Sequence, residues 1–253
     1  MSSCWTARID LPLAEDKEKK WKPYPLHKGK TRILDKLKCH VSVLSPDYSP
    51  HLPHSHADEE ILIILDGEAE LIISGSDSLE NARIEKVTAG TFVYYPAWKY
   101  HTIRNSANSP VTYLMFKWVN SENNKDQISP IQLFNTSNHF PEMEKLFSTN
   151  KLFENKTTYL DKLHCHLTTL KPGGGYKVHK DNYDVAIVTF SGEIRTLGKK
   201  IGPYSVIYYP AGEKHGMKND SNITAKYLVF EFHSSRYKTT KQRIMNMYKK
   251  ILH

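Results

Sequence analysis

Two short segments of this 253-residue chain concentrate side chains that can bind transition metals. The first contains His54, His56 and Glu60, and a later segment contains His101. Residues of equal parity on a strand face the same side, so the first three side chains can converge on one point. Three imidazoles and a carboxylate suit a divalent first-row metal, and four protein ligands leave about two octahedral positions open for substrate, water or dioxygen.

Stretches rich in β-branched and aromatic residues surround these segments and must position them. The pattern predicts short strands at 41–44, 61–65, 91–95 and 112–118, separated by Gly, Pro, Asn and Asp. Many short strands at regular spacing are typical of a sandwich or a barrel. The sequence therefore predicts an all-β fold.

An internal repeat indicates the domain organisation. Residues 34–40 recur as residues 160–166 at an offset of 126, and residues 94–96 with His101 recur as residues 208–210 with His215 at an offset of 114. A polar, turn-rich stretch at 74–78, which the second copy lacks, accounts for most of the difference. We predict two domains, 1–125 and 126–253, joined by a short polar linker, with a basic amphipathic helix from residue 234 onward.

The first copy carries a spacing that resembles the two motifs of the cupin superfamily, namely His54-x-His56-x3-Glu60-x6-Gly67 followed by Gly90-x5-Pro96-x-Trp98-x2-His101-x3-Asn105. The resemblance implies a two-domain (bicupin) protein built from tandem antiparallel jelly-roll β-barrels. It also implies that His54, His56, Glu60 and His101 are the metal ligands. The chain departs from the family at Trp98, where glycine is usual.

Three further residues of the first copy are candidates for lining the pocket or its entrance. They are Tyr94, Trp98 and Arg104. The indole of Trp98 would narrow or line the pocket mouth. For Tyr94, which shares strand parity with Phe92, packing in the core is an equally open alternative.

The second copy carries an altered ligand set. Aligned on Gly192, it has His179, Asp181, Val185 and His215 at the four ligand positions. Valine cannot coordinate a metal, so one interpretation is a barrel kept for packing. His179, Asp181 and His215 still form a two-histidine, one-carboxylate set like that of non-haem iron oxygenases. A second metal site and a metal-free pocket for an anion both stay open.

The cupin resemblance does not fix a reaction, because that fold hosts oxygenases, decarboxylases, lyases, isomerases and sensors. We expect a divalent-metal-dependent enzyme that acts on a small, oxygen-rich and anionic substrate by oxidoreductase chemistry of the dioxygenase type. The alternatives are a lyase or isomerase acting on a sugar or carboxylic acid, and a non-catalytic protein that binds a metal or small ligand. Ligand types leave the metal open among Fe, Mn, Ni, Zn and Cu.

Composition limits the partners. The formal charge of +8 is accompanied by no RNA-recognition, helix-turn-helix or zinc-finger pattern, so no nucleic-acid partner is predicted. No apolar run approaches the roughly 20 residues that a membrane helix needs, and the N-terminus lacks an apolar signal region, so a cytoplasmic protein is expected. Three cysteines without CxxC spacing indicate reduced thiols. Barrels of this type pair through sheet edges, which makes a homodimer an open expectation.

Overall fold

The computed structural model describes residues 3–121, 129–142 and 145–236. Within these residues the regular structure consists of nineteen strands and one short 3-10 helix, Thr136–Asn138. Every strand pair is antiparallel. The predicted all-β fold class is confirmed.

The strands up to the middle of the chain are β1 (Trp5–Arg8), β2 (Trp21–Gly29), β3 (Lys36–Leu44), β4 (Glu59–Asp66), β5 (Glu68–Ser74), β6 (Arg83–Thr88), β7 (Thr91–Tyr95), β8 (Tyr100–Arg104), β9 (Val111–Val119) and β10 (Gln132–Asn135). The later strands are β11 (Phe147–Asn155), β12 (Lys162–Leu170), β13 (Gly175–His179), β14 (Asp184–Ser191), β15 (Ile194–Thr196), β16 (Lys199–Ile201), β17 (Ser205–Tyr209), β18 (His215–Lys218) and β19 (Ala225–His233). The four strands predicted from the sequence correspond to β3, β4, β7 and β9.

Four sheets form two barrels. The first barrel combines a six-stranded sheet, in the order β10-β7-β4-β9-β3-β2, with a three-stranded sheet, β6-β5-β8. The second combines a six-stranded sheet, β1-β17-β14-β19-β12-β11, with a four-stranded sheet, β13-β18-β15-β16. Each barrel encloses its own hydrophobic cluster, to which the large and the small sheet both contribute. This arrangement is the jelly-roll architecture that the cupin resemblance implies.

A third hydrophobic cluster lies between the outer faces of the two large sheets and joins the barrels. It contains Phe92 and Trp118 from one sheet and Phe230 and Phe232 from the other. Residues that alternate along each strand therefore serve two purposes, since one face lines a barrel interior and the other face packs against the second barrel. The free cysteines Cys39 and Cys165 are buried in this shared cluster, in agreement with the predicted reduced thiols.

The two halves of the chain exchange edge strands. β1 pairs with β17 of the second barrel, and β10 pairs with β7 of the first barrel. The domain limits of 1–125 and 126–253 remain a prediction. Most of the predicted linker and of the C-terminal amphipathic helix, residues 122–128 and 237–253, lies outside the described residues. Among the described residues, we find no helix with the length and apolar character that a membrane crossing requires.

Candidate metal centre

The four predicted ligands of the first barrel come from two neighbouring segments. His54 and His56 lie in the loop that leads into β4, Glu60 is the second residue of β4, and His101 is the second residue of β8. Two backbone hydrogen bonds of 3.1 Å, from His54 N to His101 O and from His101 N to His54 O, join the loop to β8. The fold thus brings the two predicted segments together.

The carboxylate of Glu60 forms the centre of the group. Its Oε2 lies 3.2 Å from Nε2 of His56 and 3.4 Å from Nε2 of His101. One ligand atom from each of the three residues lies within 4.8 Å of the other two. The side chain of Glu60 is only 1% exposed. The carboxylate is therefore held in a low-dielectric site among nitrogen ligands.

Both imidazole rings are oriented for metal binding. Nδ1 of His56 lies 2.9 Å from the carbonyl oxygen of Asp58, and Nδ1 of His101 lies 2.8 Å from that of Lys99. A carbonyl oxygen only accepts hydrogen bonds, so each Nδ1 carries a proton, and Nε2, which faces Glu60, is the ring atom that would bind a metal. The donor set therefore fits a divalent transition metal.

In the structure the cation among these donors is the ammonium group of Lys117. Its Nζ lies 2.9 Å from Oε2 of Glu60 and 3.1 Å from Nε2 of His56. Burial opposes ionisation of Glu60, but the adjacent His101, His56 and Lys117 hold the pKa of its carboxyl well below the usual range. The lysine stem is long and flexible, so a metal can displace the ammonium from this position.

His54 lies beside the group without belonging to it. Its ring centroid is 5.2 Å from that of His56 and 5.5 Å from that of His101. The ring of His51 meets it edge-on, with 3.9 Å between the two centroids. Burial, with the neighbouring His51 and His101, lowers the pKa of His54 to about 4, so its ring is neutral near pH 7. Nδ1 of His54 is buried without a hydrogen-bond partner among the described residues. Its role as fourth ligand stays a prediction.

The group opens into a cavity of about 400 Å³ inside the first barrel. Much of the cavity wall is apolar and includes Trp21, Pro23, Pro25, Leu62, Ile103 and Met115. Glu60 is the one carboxylate that lines the cavity among the residues described. The cavity is therefore largely apolar, with histidines and lysines as well as Glu60 in its wall.

Three lysines, Lys28, Lys38 and Lys117, occupy neighbouring positions on β2, β3 and β9 and line this cavity; we call them the lysine row. Glu60 on β4 is the next residue across the sheet after Lys117. Like charges directly opposite each other on adjacent strands destabilise a sheet. Since Lys117 pairs with Glu60, Lys28 and Lys38 are left without an ion pair in the described part of the chain. A bound anion would relieve this repulsion.

None of the three candidate pocket residues is among those that line the cavity. Tyr94 faces the cluster between the barrels, where its hydroxyl donates to Oε1 of Glu59 at 2.9 Å. Tyr95 lines the cavity instead, because it is the cross-strand partner of Glu60. Its ring stacks on that of His101, with 4.0 Å between the ring centroids. The structure thus supports the core-packing alternative for Tyr94. Arg104 forms an ion pair with Glu70 at 2.6 Å, and Trp98 is 63% exposed; both lie outside the cavity wall.

Trp98 has a backbone conformation that explains why glycine is usual at its position. Its φ is 65°, and its N–H donates to the carbonyl oxygen of His56 at 2.8 Å. The equivalent residue of the second barrel is Gly212, with φ of 80° and an N–H that donates to Asp181 O at 2.7 Å. Left-handed backbone costs a residue with a Cβ roughly 1–2 kcal/mol, and glycine avoids that cost.

Trp98→Gly is therefore expected to raise the free energy of unfolding by about 1 kcal/mol. The matched substitution Gly212→Ala should lower it by a similar amount, because it introduces the strain that the first substitution removes. Urea unfolding of both variants measures the two shifts. Destabilisation by Trp98→Gly would show that the exposed indole makes a stabilising contact larger than the backbone strain.

The second barrel also brings its candidate ligands together. Oδ2 of Asp181 lies 3.4 Å from Nε2 of His179 and 3.1 Å from Nε2 of His215. The Nδ1 atoms of both histidines face backbone carbonyl oxygens, of Lys177 and Glu213, as in the first barrel. The three ligand atoms lie within 4.8 Å of one another. A metal bound by this group stays a prediction.

Comparisons with known proteins agree with this architecture. Residues 41–117 match the family described as Cupin domain. The structure is similar to a Cupin 2 conserved barrel domain protein from Leptotrichia buccalis, with a TM-score of 0.64 and 13% identity over 92% of this chain and 98% of that chain. It is also similar to a mutant of oxalate decarboxylase from Bacillus subtilis, with a TM-score of 0.62 and 12% identity over 92% of this chain and 78% of that chain.

No curated protein matches the sequence. At identities of 12–13% the solved structures show a common fold and not a common activity. The family match covers strands and the four candidate ligands of the first barrel, and the structural similarity extends over both barrels. The Cupin domain match of residues 41–117 and the shared fold of both barrels agree with the two cupin-like motifs of the first copy.

Proposed function

We propose that the first barrel is the active centre of a metal-dependent enzyme that acts on a small organic anion with an apolar part. One observation carries this proposal: a donor set suited to a divalent metal lies at the end of the lysine row, in an otherwise largely apolar cavity. Metal ligands alone would suit any cupin. The adjacent unpaired lysines add a preference for negative charge.

Different residues of this barrel would bind the metal, the carboxylate of the substrate and its apolar part. His56, Glu60 and His101 would hold the metal, which when bound would polarise a substrate oxygen or, if redox-active, take part in oxygen chemistry. Lys38 and Lys117 would bind the carboxylate of the substrate and orient it toward these ligands. The apolar wall would hold the remainder of the substrate and exclude water, so that the charges act in a medium of low dielectric.

Two reaction classes follow from this arrangement. Oxygenase chemistry is the first choice, because a histidine-rich set suits the redox-active metals iron and copper as well as nickel and manganese. Removal of carbon dioxide from the substrate is the second, favoured by the structural similarity to oxalate decarboxylase. Protein loaded in turn with Fe²⁺, Mn²⁺, Ni²⁺, Cu²⁺ or Zn²⁺ should be tested on small carboxylic acids, recording oxygen uptake and carbon dioxide release. Binding without either signal would favour a non-catalytic protein.

Lys117→Met is expected to change two affinities in opposite directions. It removes the ammonium that competes for the ligands of the metal, so Mn²⁺ should bind about tenfold more tightly, a difference of about 1.4 kcal/mol. It also removes one cation from the lysine row, so the metal-loaded protein should bind benzoate about tenfold more weakly. Calorimetric titrations with Mn²⁺ and with benzoate measure both changes.

Lys86→Met is the matched control, since Lys86 is an exposed lysine on β6 outside the cavity wall. It should leave both affinities unchanged. Methionine preserves most of the length of the lysine stem, so the packing at residue 117 is maintained. Unaltered benzoate binding by Lys117→Met and by Lys38→Met would contradict the proposed role of the lysine row.

A further inference from the structure

The second barrel carries a charge-inverted counterpart of the lysine row. Through the repeat, the positions of Lys28, Lys38 and Lys117 correspond to Glu154, His164 and Glu231. The cross-strand register is the same, with Glu154 opposite His164 on β11 and β12, and His164 opposite Glu231 on β12 and β19. A row suited to an anion in one barrel is thus replaced by carboxylates and imidazole in the other.

In the second barrel the carboxylate that corresponds to Glu60 lies on the neighbouring strand, β19. Val185 stands at the position that Glu60 occupies in the first barrel, and its cross-strand neighbour on β19 is Glu231. Neighbouring strands lie about 4.8 Å apart, so the acid is displaced sideways by that spacing within the same sheet. The competing ammonium is lost in the same exchange, because Glu231 corresponds to Lys117.

His164 and His166 flank this carboxylate. One ligand atom from each of His164, His166 and Glu231 lies within 4.8 Å of the other two. Nδ1 of His164 lies 2.8 Å from Oε2 of Glu154, an arrangement in which a second carboxylate fixes the ring and leaves Nε2 for a metal. Nδ1 of His166 is buried and has no hydrogen-bond partner among the described residues. An unpaired ring nitrogen beside a carboxylate points to a ligand.

We propose that His164, His166 and Glu231 bind a divalent first-row transition metal in the second barrel. Two imidazoles and a carboxylate are the ligand set of many three-residue zinc sites, which keep a further position open. His166 and Glu231 line a cavity of about 360 Å³, so an open position would face this space. The site would be independent of the function proposed for the first barrel.

This site uses different residues from the group of His179, Asp181 and His215, which lines the same cavity from the opposite side. His164, His166 and Glu231 lie on β12 and β19 of the six-stranded sheet. His179 and His215 belong to β13 and β18 of the four-stranded sheet on the other side of the barrel. The two groups can therefore be tested separately by substitution.

The test uses full-length protein with Glu60→Gln and Asp181→Asn combined, which disables the carboxylates of the other two candidate groups. Equilibrium dialysis should show about one Zn²⁺ per chain in this background, and Co²⁺ should give visible absorption bands from a site with nitrogen ligands. Addition of Glu231→Gln should weaken Zn²⁺ binding at least about 100-fold and abolish those bands. Addition of Glu193→Gln, a partly exposed acid that pairs with Lys200 at 3.2 Å, should change neither.

His166→Gln provides a second route to the same loss if Glu231→Gln disturbs folding, which circular dichroism would reveal. A background protein that binds no Zn²⁺ would overturn the proposal. The proposal would also be overturned if the background protein bound Zn²⁺ equally well before and after the addition of His166→Gln or Glu231→Gln. A failure here is separable from a failure of the first-barrel function, because the single variant Glu60→Gln reports on that barrel alone.

Discussion

Glu60→Gln is expected to remove one metal equivalent from the protein, with at least about a 100-fold loss of affinity at the first barrel. Glu60 is the only anionic member of its group, and the oxygen of an amide is a weaker ligand for a divalent cation than a carboxylate. Even outer-shell partners of a metal contribute roughly 10–100-fold to affinity, so a direct ligand should contribute at least as much. Metal analysis after dialysis against Mn²⁺, with calorimetry, measures the loss.

The pair of Glu60 and Lys117 allows coordination to be separated from stability. Glu60→Gln alone leaves the ammonium of Lys117 without its partner at 2.9 Å, and this should lower the free energy of unfolding. The double variant with Lys117→Met removes the unpaired charge, so stability should recover while metal affinity stays low. If the single variant keeps its metal equivalent, the group of His56, Glu60 and His101 is not the metal site.

The parts of the candidate site that could be predicted from the sequence depend on local spacing. The spacing of the first motif supplies His56 and Glu60, although His56 lies in the loop before β4 and not on a strand, and the later motif supplies His101. β7 was predictable because its five residues are all β-branched or aromatic and lie between glycine and proline. Each of these patterns lies within a few consecutive residues, so it can be recognised without knowing which strands are neighbours.

The parts that could not be predicted depend on register between distant strands. Whether Tyr94 or Tyr95 faces the cavity is decided by the pairing of β7 with β4, which places Tyr95 opposite Glu60. The lysine row needs the order β4-β9-β3-β2, in which neighbouring strands are far apart in the sequence. One usable signal was present, since the repeat aligns Lys117 with Glu231 and so marks a position at which the charge is inverted.

The exchanged edge strands also lacked a local signal. β1 and β10 are four residues each, too short to show a reliable alternation of apolar and polar side chains. Their pairing with the opposite barrel is decided by the contact between the large sheets. That contact also determines the environment of Glu59, which parity alone places on the face opposite Glu60.

Glu59→Gln is expected to lower the free energy of unfolding by about 3 kcal/mol, because Glu59 is a buried carboxylate that links the barrels. Its two oxygens accept hydrogen bonds from Tyr94, Trp118, Thr157 and Thr158, at 2.8–2.9 Å. The Thr158 donor is a backbone N–H directed at Oε1, and the Trp118 donor is an indole N–H directed at Oε2. Whichever way the glutamine amide turns, its NH₂ group faces one of these N–H groups, which cannot accept.

Urea unfolding at pH 8 provides the measurement, since burial raises the pKa of Glu59 to about 7 and the carboxylate is mainly ionised at the higher pH. Glu68→Gln, at an exposed position of β5, is the matched control and should change stability by less than about 0.5 kcal/mol. The metal content of Glu59→Gln should stay the same as that of the unaltered protein, because its side chain lies on the opposite face from the ligands. A loss of metal with unchanged stability would instead assign Glu59 to the metal site and remove it from the interface between the barrels.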